Sequence, residues 1–146
     1  MTITVIGHLC IDRQQVSSAP ERFEESFGGI MYSLTTLANL MADSDTIVPV
    51  FGVGRADYDK LLPLLRRYSN IDVGGIYTFD GPTNRVMLFY ENGGDSRIEC
   101  SRHIADPIPF ERIKPHIEAD GILVNLVSGF DITLETLDAF APVDRP

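Results

Sequence analysis

The sequence predicts an α/β domain: a parallel sheet with helices on its faces, and a small second sheet inserted into it. Three observations carry that prediction. Apolar runs at 3–6, 46–53 and 121–127 read as strands buried on both faces. Between them lie helical spacings, with Ile30, Leu34, Leu37, Ala38 and Met41 falling at i, i+4, i+7, i+8 and i+11. Residues 71–102 change texture, alternating apolar with polar and rich in Val, Ile, Tyr and Phe, as a β-meander does. Strands alternating with helices imply a parallel layer, and the meander implies a separate sheet.

Taken in order, the first strand is the run Ile3 to Ile6, followed by Gly7 and then Asp12. Residues 13–27 are polar, with Pro20, Phe23 and Phe27 among glutamates, and read as a partly exposed strand or excursion. Gly28-Gly29 open the first helix, and Asp43-Ser44-Asp45 end it. Residues 46–53 form the second strand, where Pro49 argues for irregularity because it brings no N–H to a ladder. A second helix runs from Asp57 to Tyr68, with Leu61, Leu64, Leu65 and Tyr68 on one side. Turn signals at Asp80-Gly81-Pro82 and Asn92-Gly93-Gly94 frame a hairpin of Arg85–Glu91 with Asp95–Ser101. A short helix at 110–117, a strand at Gly121–Val127 and a helix at 131–140 follow. Asp131 and Thr133 are the N-cap candidates for that last helix.

The chain has 146 residues, enough for one domain that buries roughly 68–70% of its unfolded surface without a disulfide or metal staple. Twelve Lys and Arg face twenty-one Asp and Glu, a net charge of −9 that repels a phosphate backbone and argues against nucleic acid as a partner. No apolar run reaches the ~18–20 residues of a membrane span, and the N-terminus lacks a basic-then-apolar signal peptide. A cytoplasmic protein without a membrane partner is expected. Cys10 and Cys100 are far apart and lack CxxC spacing, so both are expected as reduced thiols. His8, His103 and His116 are scattered, and no metal site is expected.

Three local features bear on chemistry. Phe51-Gly52-Val53-Gly54-Arg55-Ala56-Asp57 after a buried strand has the look of a truncated dinucleotide fingerprint. Its third glycine is replaced by Asp57, whose carboxylate would repel a pyrophosphate, and Asp57 reads more simply as an N-cap. Gly28-Gly29 permits either a close backbone approach to a ligand or a tight strand-to-helix turn. Asp12 lies past the C-terminal end of the first strand, the edge where ligands sit in open α/β sheets. It is read as an acceptor for hydroxyls or as a solvated loop residue. No Ser-His-Asp or Cys-His arrangement, P-loop or close carboxylate pair can be read from the chain.

The order of these features goes further. Ile3-Thr-Val-Ile-Gly-His-Leu-Cys-Ile-Asp12 is followed by Phe27-Gly28-Gly29-Ile-Met-Tyr-Ser33 with Leu37-Ala38. Then come Val53-Gly54-Arg55-Ala56-Asp57, Pro82-Thr83-Asn84-Arg85-Val86 and Val127-Ser128-Gly129-Phe130. Over residues 3 to about 140 this resembles the ribokinase-like (PfkB) carbohydrate and nucleoside kinases. The resemblance implies the N-terminal half of one ribokinase-like domain, with the C-terminal half missing. Its core would comprise 1–12, 28–70 and 103–146, with lid strands within 13–27 and 71–102.

The resemblance also implies an activity: transfer of the ATP γ-phosphoryl group, with Mg²⁺, to a hydroxyl of a sugar or related metabolite. This half would supply the acceptor site. Asp12 would accept hydrogen bonds from hydroxyls, Gly28 and Gly29 would give close backbone contact, and Ser33 a further hydroxyl contact. Val86 or Leu88 would cover the substrate from the lid and exclude water. Ser33 stands where the family usually has Asn. The catalytic Asp, the anion hole and most of the ATP site would lie in the missing half, so the chain alone should not turn over. A homodimer through the lid sheet is expected. Two other readings stay open: a non-catalytic ligand-binding or dimerisation module on the same half fold, and an oxidoreductase fragment built on Gly52 and Gly54.

Overall fold

The computed structural model describes residues 1–16, 19–91 and 96–140. Among the described residues, eight strands make two four-stranded sheets. The core sheet has the order β5-β4-β1-β8, from Ile76–Phe79, Thr46–Gly54, Thr2–Gly7 and Gly121–Asn125, all parallel. The second sheet has the order β3-β2-β6-β7, from Ala19–Gly29, Leu9–Val16, Asn84–Glu91 and Ser96–Arg102.

Alternation along β1 and β4 builds two apolar layers. Val5, Ile47, Phe51 and Val53 face α1 (Ile30–Leu40) and α2 (Arg55–Leu65), meeting Leu34, Leu61 and Leu65. Ile6 and Val50 point the other way, onto Ile108 and onto Ile113 of α3 (Phe110–Ile113). Both strands are buried on both faces, as their unbroken apolar runs require. Pro49 sits inside β4 without breaking it. Its carbonyl points to the β5 side, against Gly75, and its missing N–H points the same way. There the ladder is interrupted between the Ile47–Ile71 bridge and the Phe51–Ile76 pair, so no bond is lost.

Several expectations shift by an element. One residue, His8, separates β1 from β2, so the second sheet begins at Leu9 rather than at 13. Asp12 therefore lies inside a strand of that sheet and not in a loop. Residues 76–79 alternate like the meander but pair with β4, so β5 belongs to the core. The second sheet is mixed: β2 runs parallel to β6, while β3 and β7 pair antiparallel at the outside. β6 and β7 pair from Arg85–Arg102 to Glu91–Ser96, and the turn expected at Asn92-Gly93-Gly94 lies outside the described residues. β8 ends at Asn125, two residues early. Thr133, not Asp131, caps α4 (Leu134–Phe140), its hydroxyl accepting the Thr136 N–H at 3.1 Å.

Candidate functional site

β1 is the strand at which the core topology reverses, with β4 and then β5 on one side and β8 on the other. The carboxyl end of such a strand is where an open α/β sheet leaves a crevice. Here the crevice is roofed by one face of the second sheet. Side-chain alternation puts Cys10, Asp12 and Gln14 of β2 on that face, beside Asn84, Val86 and Leu88 of β6. Ser101 and Glu99 of β7 extend the rows, opposite Val86 and Leu88. Together with Gly29, Tyr32 and the segment Asn125–Ser128 at the end of β8, this face encloses a cavity of about 490 Å³.

Asp12 is 8% exposed and is the acidic centre of the cavity. One carboxyl oxygen accepts from Cys10 Sγ and the other from Tyr32 Oη, each at 3.1 Å. Burial, with the Asp12 hydrogen bond and charge behind it, pushes the Cys10 thiol up, so it stays a donor. Burial and then the Asp12 charge likewise raise the Tyr32 phenol. The two glycines have separate reasons. Gly28 pairs with Cys10, and a Cβ there would overlap the Asp12 carboxyl oxygen, so this glycine makes room for the acid. Gly29 has φ +64°, passes close to the His8 carbonyl and lets Ile30 N–H donate to it at 3.0 Å. The tight turn and the close approach are both present, one at each glycine.

Of the expected residues, Asp12, Gly29, Val86 and Leu88 line the cavity, and Gly28 borders it through Asp12. Ser33 does not line it. Its hydroxyl donates to Asn125 Oδ1 at 3.1 Å, which ties α1 to the end of β8. Tyr32, Asn84 and Ser128, which lie in the quoted motifs but were given no role there, and Asn125 also line the site.

The floor of the site is fastened by Asp131, which is fully buried. Its carboxyl accepts the backbone N–H groups of His8 at 2.8 Å, Ser128 at 2.9 Å and Val127 at 3.0 Å. Burial works to raise its pKa, but the N–H groups of His8 and Ser128, the nearby His8 ring and the N–H of Val127 outweigh it. The group is held below the usual carboxylate range.

Asp57 caps nothing. It lies inside α2, accepts from Thr83 Oγ1 at 2.7 Å and pairs with Arg85 at 3.2 Å, joining α2 to the start of β6. Burial opposes its ionisation, but Thr83, Arg85 and Lys60 hold it below its ordinary value. The adjacent glycines are filled by protein: a Cβ at Gly52 would meet the Tyr77 ring, and one at Gly54 the Gly81 carbonyl. Gly54 N–H also donates to Thr83 Oγ1, so the start of α2 is not an open cradle for a pyrophosphate. That removes the basis for an oxidoreductase reading. Cys10 and Cys100 are both free thiols.

No family model matches the chain, and no curated protein matches it. Solved structures do. A pyrophosphate-dependent kinase in the ribokinase family, in complex with sulfate, aligns with a TM-score of 0.71 and 20% identity, covering 90% of this chain and 43% of its own. The fold is ribokinase-like. A pyrophosphate-dependent kinase of that family, complexed with a pyrophosphate analog and myo-inositol, aligns at 0.68 and 19% over 90% of this chain and 42% of its own. An uncharacterized sugar kinase from Pyrococcus horikoshii gives 0.67 and 19% over 85% and 42%. The chain thus spans about two fifths of the length of these ribokinase-like structures, and at these identities the likeness establishes the fold alone. No helix among the described residues is long and apolar enough to cross a membrane.

Proposed function

We propose that this chain is the acceptor-binding part of a kinase that transfers the γ-phosphoryl group of ATP, with Mg²⁺, to a hydroxyl of a sugar or related polyol. The observation that carries this reading is the roofed cavity at the carboxyl end of β1, with the Asp12 carboxyl at its centre. Such a group accepts strongly from hydroxyls. Structures of the same fold support the ligand class: one kinase is complexed with myo-inositol and a pyrophosphate analog, and the P. horikoshii sugar kinase with ATP.

Phosphoryl transfer depends mainly on positioning and charge stabilisation, and positioning is this site's share. Asp12 orients the acceptor hydroxyls. Gly28 leaves room for that carboxyl, Gly29 brings backbone up to the cavity, and Ser33 fixes Asn125 at the rim. Val86 and Leu88 cover the ring carbons and exclude water, so the second sheet acts as a lid. Among the described residues no group of three His, Cys, Asp or Glu is placed to hold a metal ion. No Mg²⁺ ligands are assigned among these residues, and no step is routed through the ion. By the same resemblance, the base and anion hole belong to the part of such kinases that this chain does not span. The outer edges of the lid, β3 and β7, are where a second copy would pair.

Titration of the purified chain with myo-inositol, pentoses and hexoses, followed by calorimetry or NMR, tests the reading. At least one should bind, and Asp12→Asn should weaken it by about ten- to a hundredfold, the worth of a hydrogen bond to a charged group. A panel with no binder, or an unchanged affinity in the variant, would overturn it.

A further inference from the structure

We infer that Asn84 is a specificity-determining contact, its side-chain carbonyl accepting a hydrogen bond from a second hydroxyl of the bound polyol. The inference rests on the acceptor-site reading above.

Asn84 is the first residue of β6 and lines the cavity beside Val86 and Leu88. The residue is 2% exposed, and its Oδ1 is buried with no hydrogen-bond partner, the only such side-chain atom among the described residues. Buried polar groups are almost always paired, so an unpaired oxygen in a residue that lines a cavity calls for a partner from that cavity. The register makes its position definite. Asn84 stands opposite Cys10, while Asp12, two residues along the same face of β2, stands opposite Val86. Asn84 and Asp12 are therefore diagonal neighbours on one wall.

Both present oxygen acceptors. The thiol and phenol that reach Asp12 leave Asn84 Oδ1 untouched. A ligand with two hydroxyls satisfies the pair, one donated to each. A ligand with a single hydroxyl in that region leaves the Asn84 carbonyl dry and unpaired. A site built to bond a hydroxyl rejects the analogue that lacks it far more strongly than an apolar pocket rejects a methylene. Selection therefore falls on polyols with hydroxyls at both positions.

The test uses the full 146-residue chain, myo-inositol and a set of mono-deoxy inositols as probes. Wild type should bind the parent polyol at least about tenfold more tightly than one deoxy analogue. Asn84→Val, which suits a strand and removes the acceptor, should erase that difference and leave the deoxy analogue's affinity unchanged. Without ligand, the variant should melt no lower than wild type, because an unpaired buried oxygen has gone. In the wild-type chain, the Asn84 side-chain carbonyl ¹³C resonance should move on adding myo-inositol and stay in place with the discriminated analogue. A parent-to-deoxy ratio unaltered by Asn84→Val, or a still resonance, overturns the inference while the acceptor site stands. A lower melting temperature with uniform loss across the panel assigns Asn84 a structural role and also overturns it. If wild type binds none of the probes, the acceptor-site reading itself fails, and this inference goes with it.

Discussion

The two flanks of the core sheet start from the same kind of strand and end in different surroundings. On one flank, β1 and β4 are sealed beneath α1 and α2, with Val5, Ile30, Leu34, Ile47, Phe51, Leu61 and Leu65 all without measurable exposure. On the other, β8 reads Gly-Ile-Leu-Val-Asn, as apolar as β1, yet none of its five residues is fully buried. Leu123 is 39% exposed, and beyond the strand Leu126, Phe130 and Leu134 reach 64%, 59% and 76%. An apolar run states that a strand is suited to cover. The cover itself is supplied by another element, and within the described residues β8 has it on one side only. Exposed apolar residues gathered along one edge are the usual mark of an association surface.

The sharpest way to break this contrast is to cut the same side chain from each flank. Leu34→Ala should lower the unfolding free energy by about 3 kcal/mol in urea titration, because α1 cannot collapse into the space left. Leu123→Ala, one flank over, should cost no more than about 0.5 kcal/mol. Equal losses would mean that β8 is covered in solution. Next in size is Asp131→Asn, expected to cost about 2 kcal/mol at neutral pH, as the buried acceptor of the His8, Val127 and Ser128 amides is weakened.

The pH dependence of that loss has a definite sign. The Asp131 carboxyl is held below its ordinary value, so the native state binds its proton less tightly than the unfolded chain. Its contribution is complete above the unfolded value, about 4, and is lost as the pH falls through the lower native one. The stability gap between wild type and Asp131→Asn should therefore narrow on acidification from about pH 5 to pH 3. A gap that widens would refute the assignment.

The smallest effect on folding, with the largest effect on association, belongs to the exposed edge. Leu126→Ser with Phe130→Ser should leave the melting temperature nearly unchanged and reduce self-association in sedimentation velocity. A chain that is already monodisperse as a monomer would show that the edge is not sticky. Mass measured for a lid-edge variant such as Ile98→Lys on β7 would separate edge pairing of the second sheet from this flank.

How far the sequence could be read follows from which interactions are local. β1, β4, α1 and α2 were legible because period and burial coincide over a full element. β2 was read as starting too late because the chain passes from one sheet to the next across His8 alone, with no polar loop to announce it. β5 was given to the wrong sheet because Ile76–Phe79 alternates identically whichever strand it meets, and its partner β4 is a nonlocal choice. At the site, Asp12, Gly28 and Gly29 stand in recognisable local settings. Asn84 does not: only the parallel pairing of β2 with β6 sets it beside Cys10, and nothing within either segment encodes that register. Asp57 was read as a helix cap, and Asp131 as a cap candidate beside Thr133, because each sits near a helix start, where a cap is the commonest use of an aspartate. Their actual partners come from β6 and from the end of β1.

The joint between the two sheets has a mechanical consequence. The chain leaves the core at His8 and returns at Gly29, and the Ile30 amide bonds the His8 carbonyl, so exit and return are pinned to each other. The pairing of β2 with β3 holds Asp12 against the gap that Gly28 leaves for it, while Tyr32 of α1 ties the same carboxyl to the core. The amide of Ile30 is the pin to watch: its hydrogen exchange reports how often this joint opens, and filling the cavity should slow it.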